Sequence, residues 1–379
     1  MNTKQLKIGL VFDDSLDSSD GVAQYVKTLG AWLSGQKYEV TYLVGETRLE
    51  KWAGGKVYSL AKNLKVAFNR NHLSVPLPGR QTTLRKLLKT EHFDLIHVQV
   101  PYSPFMAQRV IKKVPQSTAL IGTFHILPAN RLASWGSRLL RLVIGRSLRR
   151  FDQIVSVSQP AADFAKRAFG LDTIVIPNAV DIASFAKTAA KPKRSGHKVV
   201  FLGRLVERKG AKQLLQAFSL LHEQRPQTRL VIAGDGPLRS TLESYVKKAG
   251  LSSAVKFKGF IKEADKAKLL ASADIACFPA LGGESFGIVL IEAMAAGAGL
   301  VIGGDNPGYR KVLGGREEAL INPFDTVNFA ERLQILLDDK KLASELHEHQ
   351  QLDYRQYDIE IVGRQLLDVY KRAIAKHPQ

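Results

Sequence analysis

Short runs of aliphatic and β-branched residues alternate with helix-length amphipathic stretches along almost the whole chain. In the first half the runs are Lys7–Phe12, Val40–Val44, Leu95–Val100, Ala119–Phe124, Gln153–Ser158 and Thr173–Pro177, with amphipathic stretches such as Val22–Ser34 and Arg80–Lys89 between them. In the second half they are Lys198–Leu202, Arg229–Ala233, Val255–Phe260, Asp274–Pro279, Gly299–Ile302 and Ala319–Asn322. Helical patterns over Ala211–Glu223, Leu238–Ala249 and Glu292–Ala296 separate these. Strand–helix alternation predicts parallel sheets with helices on both faces. Two such series predict an α/β chain of two Rossmann-like, doubly wound domains facing across a cleft.

The boundary is legible as a change of composition. Ser184–His197 is polar, basic and poor in large apolar groups, so it reads as a linker. The expected domains are 1–183 and 198–357, with 184–197 between them. The tail Asp358–Ala375 has helical periodicity through Ile359, Val362, Leu366, Leu367, Val369 and Tyr370. A length of 379 residues is consistent with two cores. An apolar fraction of 45% and a charged fraction of 24% exclude a disordered chain or a disulfide scaffold. The single cysteine, Cys277, lies in the apolar run Ile275–Phe278, which suggests a buried thiol and a reducing, cytosolic compartment. Ile8–Phe12 is too short for a secretion signal, and no stretch is long and apolar enough to span a membrane.

Charge changes this picture. Fifty-five Lys and Arg against 35 Asp and Glu leave a net charge of +20, which attracts polyanions of any kind. From Leu95 to Phe151 there are nine basic residues and no acidic one. Within it, Arg131–Arg150 interleaves Arg131, Arg138, Arg141, Arg146, Arg149 and Arg150 with Leu132, Trp135, Leu139, Leu140, Leu142, Val143, Ile144 and Leu148. That is the composition of an interfacial helix on an anionic membrane, and Arg131, Trp135, Arg138 and Arg141 are its candidate lipid or acceptor contacts. Asn63–Pro78 is a second candidate lip. Nucleic-acid binding would call for aromatic residues among the cations, and aromatic residues are only 8% of the chain.

Ligands in open α/β sheets bind beyond the carboxyl ends of the strands, so motifs there carry the candidate chemistry. After the first strand, Gly21 opens a helix whose backbone N–H groups could meet a phosphate. After the first strand of the second half, the run Gly203–Gly210 brings out Arg204 and Lys209, suited to a diphosphate as a planar fork and a point charge. Gly234-Asp235-Gly236-Pro237 marks a tight turn into a helix. The segment Gly282–Gly297 holds Glu284 and, eight residues later, Glu292 inside an otherwise apolar helix. A carboxylate there needs a partner, and sugar or ribose hydroxyls could supply one. Phe286, Gly287 and Ile288 stand at the helix start, where the Gly287 and Ile288 amides suit a phosphate. His125 ends the run Gly122–His125 at a strand terminus, placed to hydrogen-bond at a reacting centre. No Asp-x-Asp offers a catalytic metal site.

These residues together resemble family 4 of the retaining glycosyltransferases. The likeness rests on Arg204 with Lys209, the Glu284/Glu292 pair, Pro177–Asp181, Gly234–Gly236 and Thr123–His125. It implies a GT-B fold, with the nucleotide-sugar held mainly by the second domain and the acceptor by the first. It implies that Arg204 and Lys209 hold the diphosphate, Glu284 the sugar hydroxyls and Glu292 the ribose. Gly203, Gly234, Phe286, Gly287 and Ile288 would line the donor. Gly21 would lie against the diphosphate and His125 beside the anomeric centre. The C-terminal helix, 358–379, would cross back onto the first domain.

Within the family, Gly122–His125, Pro177–Ala186, Glu284–Gly297 and Tyr309–Leu313 most resemble the phosphatidylinositol mannosyltransferases of actinobacteria. GDP-mannose as donor, phosphatidylinositol or its mannoside as acceptor, and peripheral action at the inner face of the cell membrane follow as expectations. So does transfer with retention and without metal or other cofactor. A UDP-sugar donor with another lipid or a soluble acceptor, or an inactive relative, are the alternatives. Two departures stand out: Asp20 where the family often has a first glycine, and Ile126–Asn130 where that subfamily carries polar residues.

Overall fold

The computed structural model describes residues 5–18, 20–68, 71–76, 81–125, 131–189 and 196–377, the side chains of 64–68, 71–76, 81–83 and 131–139 excepted. The chain forms two compact units. Unit 1 comprises residues 1–179 and 359–379, and unit 2 comprises 180–358.

Unit 1 contains β1 (Lys7–Phe12), α1 (Gly21–Gly35), β2 (Glu39–Val44), β3 (Lys51–Trp52), β4 (Gly55–Ser59), β5 (Asn63–Phe68), β6 (Asn71–Pro76), α2 (Gln81–Glu91), β7 (Leu95–Gln99), α3 (Met106–Lys113), β8 (Ala119–Phe124), α4 (Arg131–Leu148), β9 (Gln153–Ser156), α5 (Gln159–Phe169) and β10 (Ile174–Val175). Unit 2 contains α6 (Ile182–Thr188), β11 (Lys198–Leu202), α7 (Ala211–Gln224), β12 (Arg229–Ala233), α8 (Arg239–Lys248), β13 (Val255–Gly259), α9 (Glu263–Ala271), β14 (Ile275–Phe278), α10 (Ile288–Ala295), β15 (Leu300–Gly304), α11 (Pro307–Val312), β16 (Leu320–Ile321), α12 (Thr326–Asp338) and α13 (Lys340–Asp353). The last helix, α14 (Ile359–Ile374), returns to unit 1.

The unit 1 sheet runs β10-β9-β8-β7-β1-β2-β4-β3 and is parallel except for β3. The β5–β6 ribbon is an antiparallel hairpin separate from it. On one face, α1 and α14 bury Leu29, Trp32, Leu33, Val362, Leu366 and Val369 against Ile8, Leu10, Val40 and Tyr42. The two helices approach closely enough that a Cβ on Gly363 would fall 2.6 Å from the Trp32 ring. The opposite face is covered by Leu84, Leu87, Leu88, Val110 and Ile111 of α2 and α3. The unit 2 sheet is wholly parallel, in the order β13-β12-β11-β14-β15-β16.

The boundary falls earlier than the composition of Ser184–His197 suggests. Ile182–Thr188 is helical and packs against α9 and α10 within unit 2. Asp181 caps it by accepting from the Ser184 N–H at 2.9 Å, and the Phe185 ring lies 5.6 Å from the Lys266 ammonium. One aromatic anchor and one cap are enough to fold a stretch that otherwise reads as solvated. Residues 190–195 of the expected linker lie outside the described residues.

Candidate active site

In unit 2 the strand order reverses at β11, with β12 on one side and β14 on the other. The carboxyl ends of β11 and β14 therefore diverge into helices on opposite faces and leave a crevice between them. The loop leaving β11 closes with a 3-10 turn at Glu207–Lys209. It is tied to the loop leaving β14 by the Leu281 N–H, which donates to the Arg208 carbonyl at 2.8 Å. Gly210 makes the seam possible: its φ is +73°, and a Cβ there would sit 1.9 Å from the Pro279 carbonyl oxygen.

Across this seam Arg208 Nη1 and Lys209 Nζ both donate to Glu284 Oε1, at 2.5 and 2.8 Å. Burial alone would push the Glu284 carboxyl up, but Lys209 and then Arg208 more than reverse this and hold it below the usual range. The result is an ionised carboxylate within a cationic pocket. Such a cluster can accept from hydroxyls while its cations meet a phosphate. Sequence reasoning chose Arg204 and Lys209 and missed Arg208. The signal was available, because Arg208 adjoins Lys209 in the same turn. Arg204 lies in the same loop with an exposed side chain.

The other residues expected on the donor side lie at strand and helix ends of unit 2. The Gly203 N–H donates to the Ala233 carbonyl at 3.0 Å and the Gly234 N–H to the Gly259 carbonyl at 2.7 Å, so both are pinned at strand ends. Gly287 precedes α10, whose first turn, beginning at Ile288, has no side-chain cap. Phe286 is buried and packs edge-on against Tyr357 at 5.2 Å, so its ring serves the core of unit 2.

Glu292 is only 5% exposed, as its apolar helix suggests. Its partner is a protein cation. Lys266 Nζ on α9 lies 2.5 Å from Glu292 Oε1 and 3.2 Å from Glu263 Oε1. The sequence offers sugar or ribose hydroxyls as that partner; the structure adds Lys266, which no local pattern pointed to. A carboxylate this deep needs compensation whether or not a ligand is bound, and Lys266 provides it. Burial raises the Glu292 carboxyl against the pull of Lys266. Burial would lower the Lys266 ammonium, but Glu292 and Glu263 hold it above its ordinary value.

In unit 1, Gly21 begins α1 as expected, but Asp20 caps that helix. Its carboxylate accepts from the Val22 and Ala23 N–H groups at 2.9 and 3.0 Å and from the Ser18 hydroxyl. Two of the amides that an incoming phosphate would use are thus already bound to an anion. Asp13, at the end of β1, was missed altogether. It is 9% exposed, accepts from the Ala107 N–H at the start of α3 at 2.6 Å, and is bonded by the Ser103 hydroxyl. Burial pushes its carboxyl up to about 6 despite those bonds. His125 directly follows β8, buried, with Nε2 2.7 Å from Gln99 Oε1.

The basic helix α4 is half core. Ile144 and Leu148 pack on Phe124, Phe164 and Phe169. Between them and solvent, Leu142 is 80% and Val143 71% exposed, beside the exposed Arg141 and Arg146. The Arg141 guanidinium lies over Gly170, the left-handed C-cap of α5, where the helix dipole favours a cation. The side chains of Arg131, Trp135 and Arg138 lie outside the described residues. No described helix is long and apolar enough to cross a membrane.

Two doubly wound units, one gathering cations on a partly buried glutamate at its switch point, describe a GT-B glycosyltransferase. The model of glycosyltransferase family 4 matches residues 19–184, and that of the glycosyl transferases group 1 matches 185–352. The phosphatidyl-myo-inositol mannosyltransferase of Mycolicibacterium smegmatis is 32% identical over 97% of this chain and 94% of its own. Among solved structures, the sucrose-phosphate synthase of Thermosynechococcus elongatus superposes with a TM-score of 0.75 at 21% identity, covering 98% of this chain and 100% of that one. HepE of Anabaena in complex with UDP-glucose gives 0.71 at 18% identity, covering 97% and 100%. The chain belongs to glycosyltransferase family 4.

Proposed function

We propose that this protein transfers an α-mannosyl group from GDP-mannose to phosphatidyl-myo-inositol, or to its mannoside, with retention at the anomeric carbon. The observation that carries the chemistry is Glu284 held by Arg208 and Lys209 at the β11/β14 crevice. Charge grows on the leaving diphosphate as the C–O bond breaks, and fixed cations there bind the transition state more tightly than the ground state. Arg204, Arg208 and Lys209 supply that charge, so the reaction needs no metal. Glu284 accepts from the sugar hydroxyls, and Glu292, shared with Lys266, from the ribose. His125 serves at the reacting sugar, and the leaving diphosphate takes the acceptor proton. The mannosyl and inositol assignments are supported by the full-length likeness to a mannosyltransferase of that name.

The protein works peripherally at the inner face of the membrane, with Leu142 and Val143 entering the interface and the α4 arginines meeting anionic headgroups. The test is thermal stabilisation by GDP-mannose, GDP, UDP-glucose and UDP, followed by radiolabel transfer into phosphatidylinositol vesicles with and without chelator. Stabilisation by the GDP ligands alone, with chelator-resistant transfer, is expected. Stabilisation by UDP-glucose alone would overturn both donor and acceptor.

A further inference from the structure

The ion cluster at the β11/β14 crevice contains an electrostatic conflict. Arg208 Nη1 and Lys209 Nζ both donate to one oxygen, Glu284 Oε1, at 2.5 and 2.8 Å. Among the described residues, Glu284 Oε2 has no partner. The Glu284 and Lys209 side chains are only 13% and 20% exposed, so solvent and salt screen their attraction poorly. The backbone holds the carboxylate in place from two sides. The Leu281 N–H binds the Arg208 carbonyl at 2.8 Å. Gly308 of α11 packs so closely that a Cβ on it would fall 2.3 Å from the Glu284 carbonyl oxygen. The protein itself therefore fixes an anion against Lys209.

Lys209 is also the cation that the donor diphosphate takes in the reading above. Two anions then compete for one ammonium. A diphosphate on Lys209 lies close to the Glu284 carboxylate, and like charges in a poorly screened site repel. Arg208 keeps the carboxylate as its partner when Lys209 turns to phosphate. The sugar offsets the repulsion: its hydroxyls donate to Oε2 and stabilise the negative charge. A nucleoside diphosphate carries the same two phosphates and no such hydroxyls, so it meets the repulsion without the offset. A charge that one ligand satisfies and its close relative does not is a repulsive element of specificity.

We propose that Glu284 is the built-in counter-ion of Lys209, exchanged for the donor diphosphate, and that this exchange shifts the preference of the site toward an intact nucleotide-sugar and away from the nucleoside diphosphate left after transfer. The proposal rests on the donor reading of the crevice and goes beyond it. A sugar contact alone strengthens donor binding and leaves the bare nucleotide untouched, whereas a counter-ion weakens the bare nucleotide. Once the glycosyl group has left with its hydroxyls, Glu284 takes Lys209 back and favours release of the product.

The experiment is titration calorimetry, without acceptor, of GDP, GDP-mannose, UDP and UDP-glucose against the full chain, Glu284→Gln, Lys209→Met and the double variant, each checked for a native circular-dichroism spectrum. In Glu284→Gln the nucleoside diphosphate should bind about tenfold tighter and its sugar conjugate no tighter. A gain for the nucleoside diphosphate below about threefold overturns the proposal. On the Lys209→Met background the same substitution should gain about threefold or less. An undiminished gain there means general repulsion of the diphosphate rather than competition for the ammonium, and overturns the proposal equally. Glu284→Ala removes the same charge, should shift the nucleoside diphosphate in the same direction, and decides the matter if the amide variant does not fold. Failure of the donor reading shows separately. The unmodified protein then binds none of the four ligands and both readings fall, whereas binding without the gain in Glu284→Gln overturns the proposal alone.

Discussion

Replacing Lys266 by Met removes one half of a buried ion pair while keeping much of its volume. Lys266 Nζ and Glu292 Oε1 are 2.5 Å apart, and the two side chains are only 13% and 6% exposed. Breaking such a pair from one side costs about 3–5 kcal/mol, because the remaining charge is buried alone. The loss should depend on pH. The Glu292 carboxyl already sits above its ordinary value, because burial outweighs Lys266. Without Lys266 it rises further. A carboxyl with a raised folded-state pKa contributes stability below its unfolded pKa and loses it as pH climbs through the folded one. The deficit of Lys266→Met should therefore be small near pH 4 and reach its full size by pH 8. All three tryptophans, Trp32, Trp52 and Trp135, belong to unit 1, so their fluorescence is a poor probe. Urea unfolding by far-ultraviolet circular dichroism, with hydrogen exchange at α9 and α10 to mark unit 2, is the assay. The double variant Lys266→Met/Glu292→Leu should recover most of the loss. A deficit under about 1 kcal/mol at pH 8, or one independent of pH, would refute the reasoning.

Asp13→Asn should flatten the pH dependence of unit 1 stability. The wild-type carboxyl, raised to about 6 by burial, makes unit 1 lose up to about 3 kcal/mol between pH 4 and pH 7, and the amide does not ionise; tryptophan-monitored unfolding at both pH values checks this. On the proposed reading that the diphosphate meets the start of α1, Asp20→Gly should cost α1 only a few tenths of a kcal/mol while tightening GDP-mannose severalfold by calorimetry, because the Val22 and Ala23 amides lose a competing anion; unchanged or weaker binding would refute that reading. Leu142→Asp with Val143→Asp should abolish sedimentation with anionic vesicles and leave nucleotide-induced thermal stabilisation intact.

Much of the fold can be read from apolar runs alone. Lys7–Phe12, Ala119–Phe124, Lys198–Leu202 and Arg229–Ala233 are strands with the bounds that the pattern predicts. These are central strands, buried on both faces, where hydrophobicity and pairing agree. The edge of the unit 1 sheet escapes the pattern. β3 and β4 are short and lie at its margin, and β5–β6 reads as a lip until its hairpin pairing is seen. In the site, Glu284 and Lys209 announce themselves by their neighbours in sequence. Lys266 does not, because it stands on a different helix 26 residues before Glu292, in a stretch rich in exposed lysines. Gln99 is hidden for a similar reason. Its meaning comes from the β7–β8 register, which no local pattern carries.

Val180 and Asp358 pair in a parallel bridge, and the Val180 N–H donates to the Tyr357 carbonyl at 3.0 Å. Unit 2 is therefore a continuous stretch of chain, inserted into unit 1, whose first and last residues are side by side. On the ribosome this reverses the usual order. Unit 2 has all its residues once Asp358 has emerged, whereas unit 1 waits for Ile359–Ile374. Until then Leu29, Trp32 and Leu33 lack the cover that Val362, Leu366 and Val369 give them. The half that begins first therefore completes its core last, because the residues that cover Leu29, Trp32 and Leu33 follow the whole of unit 2 along the chain.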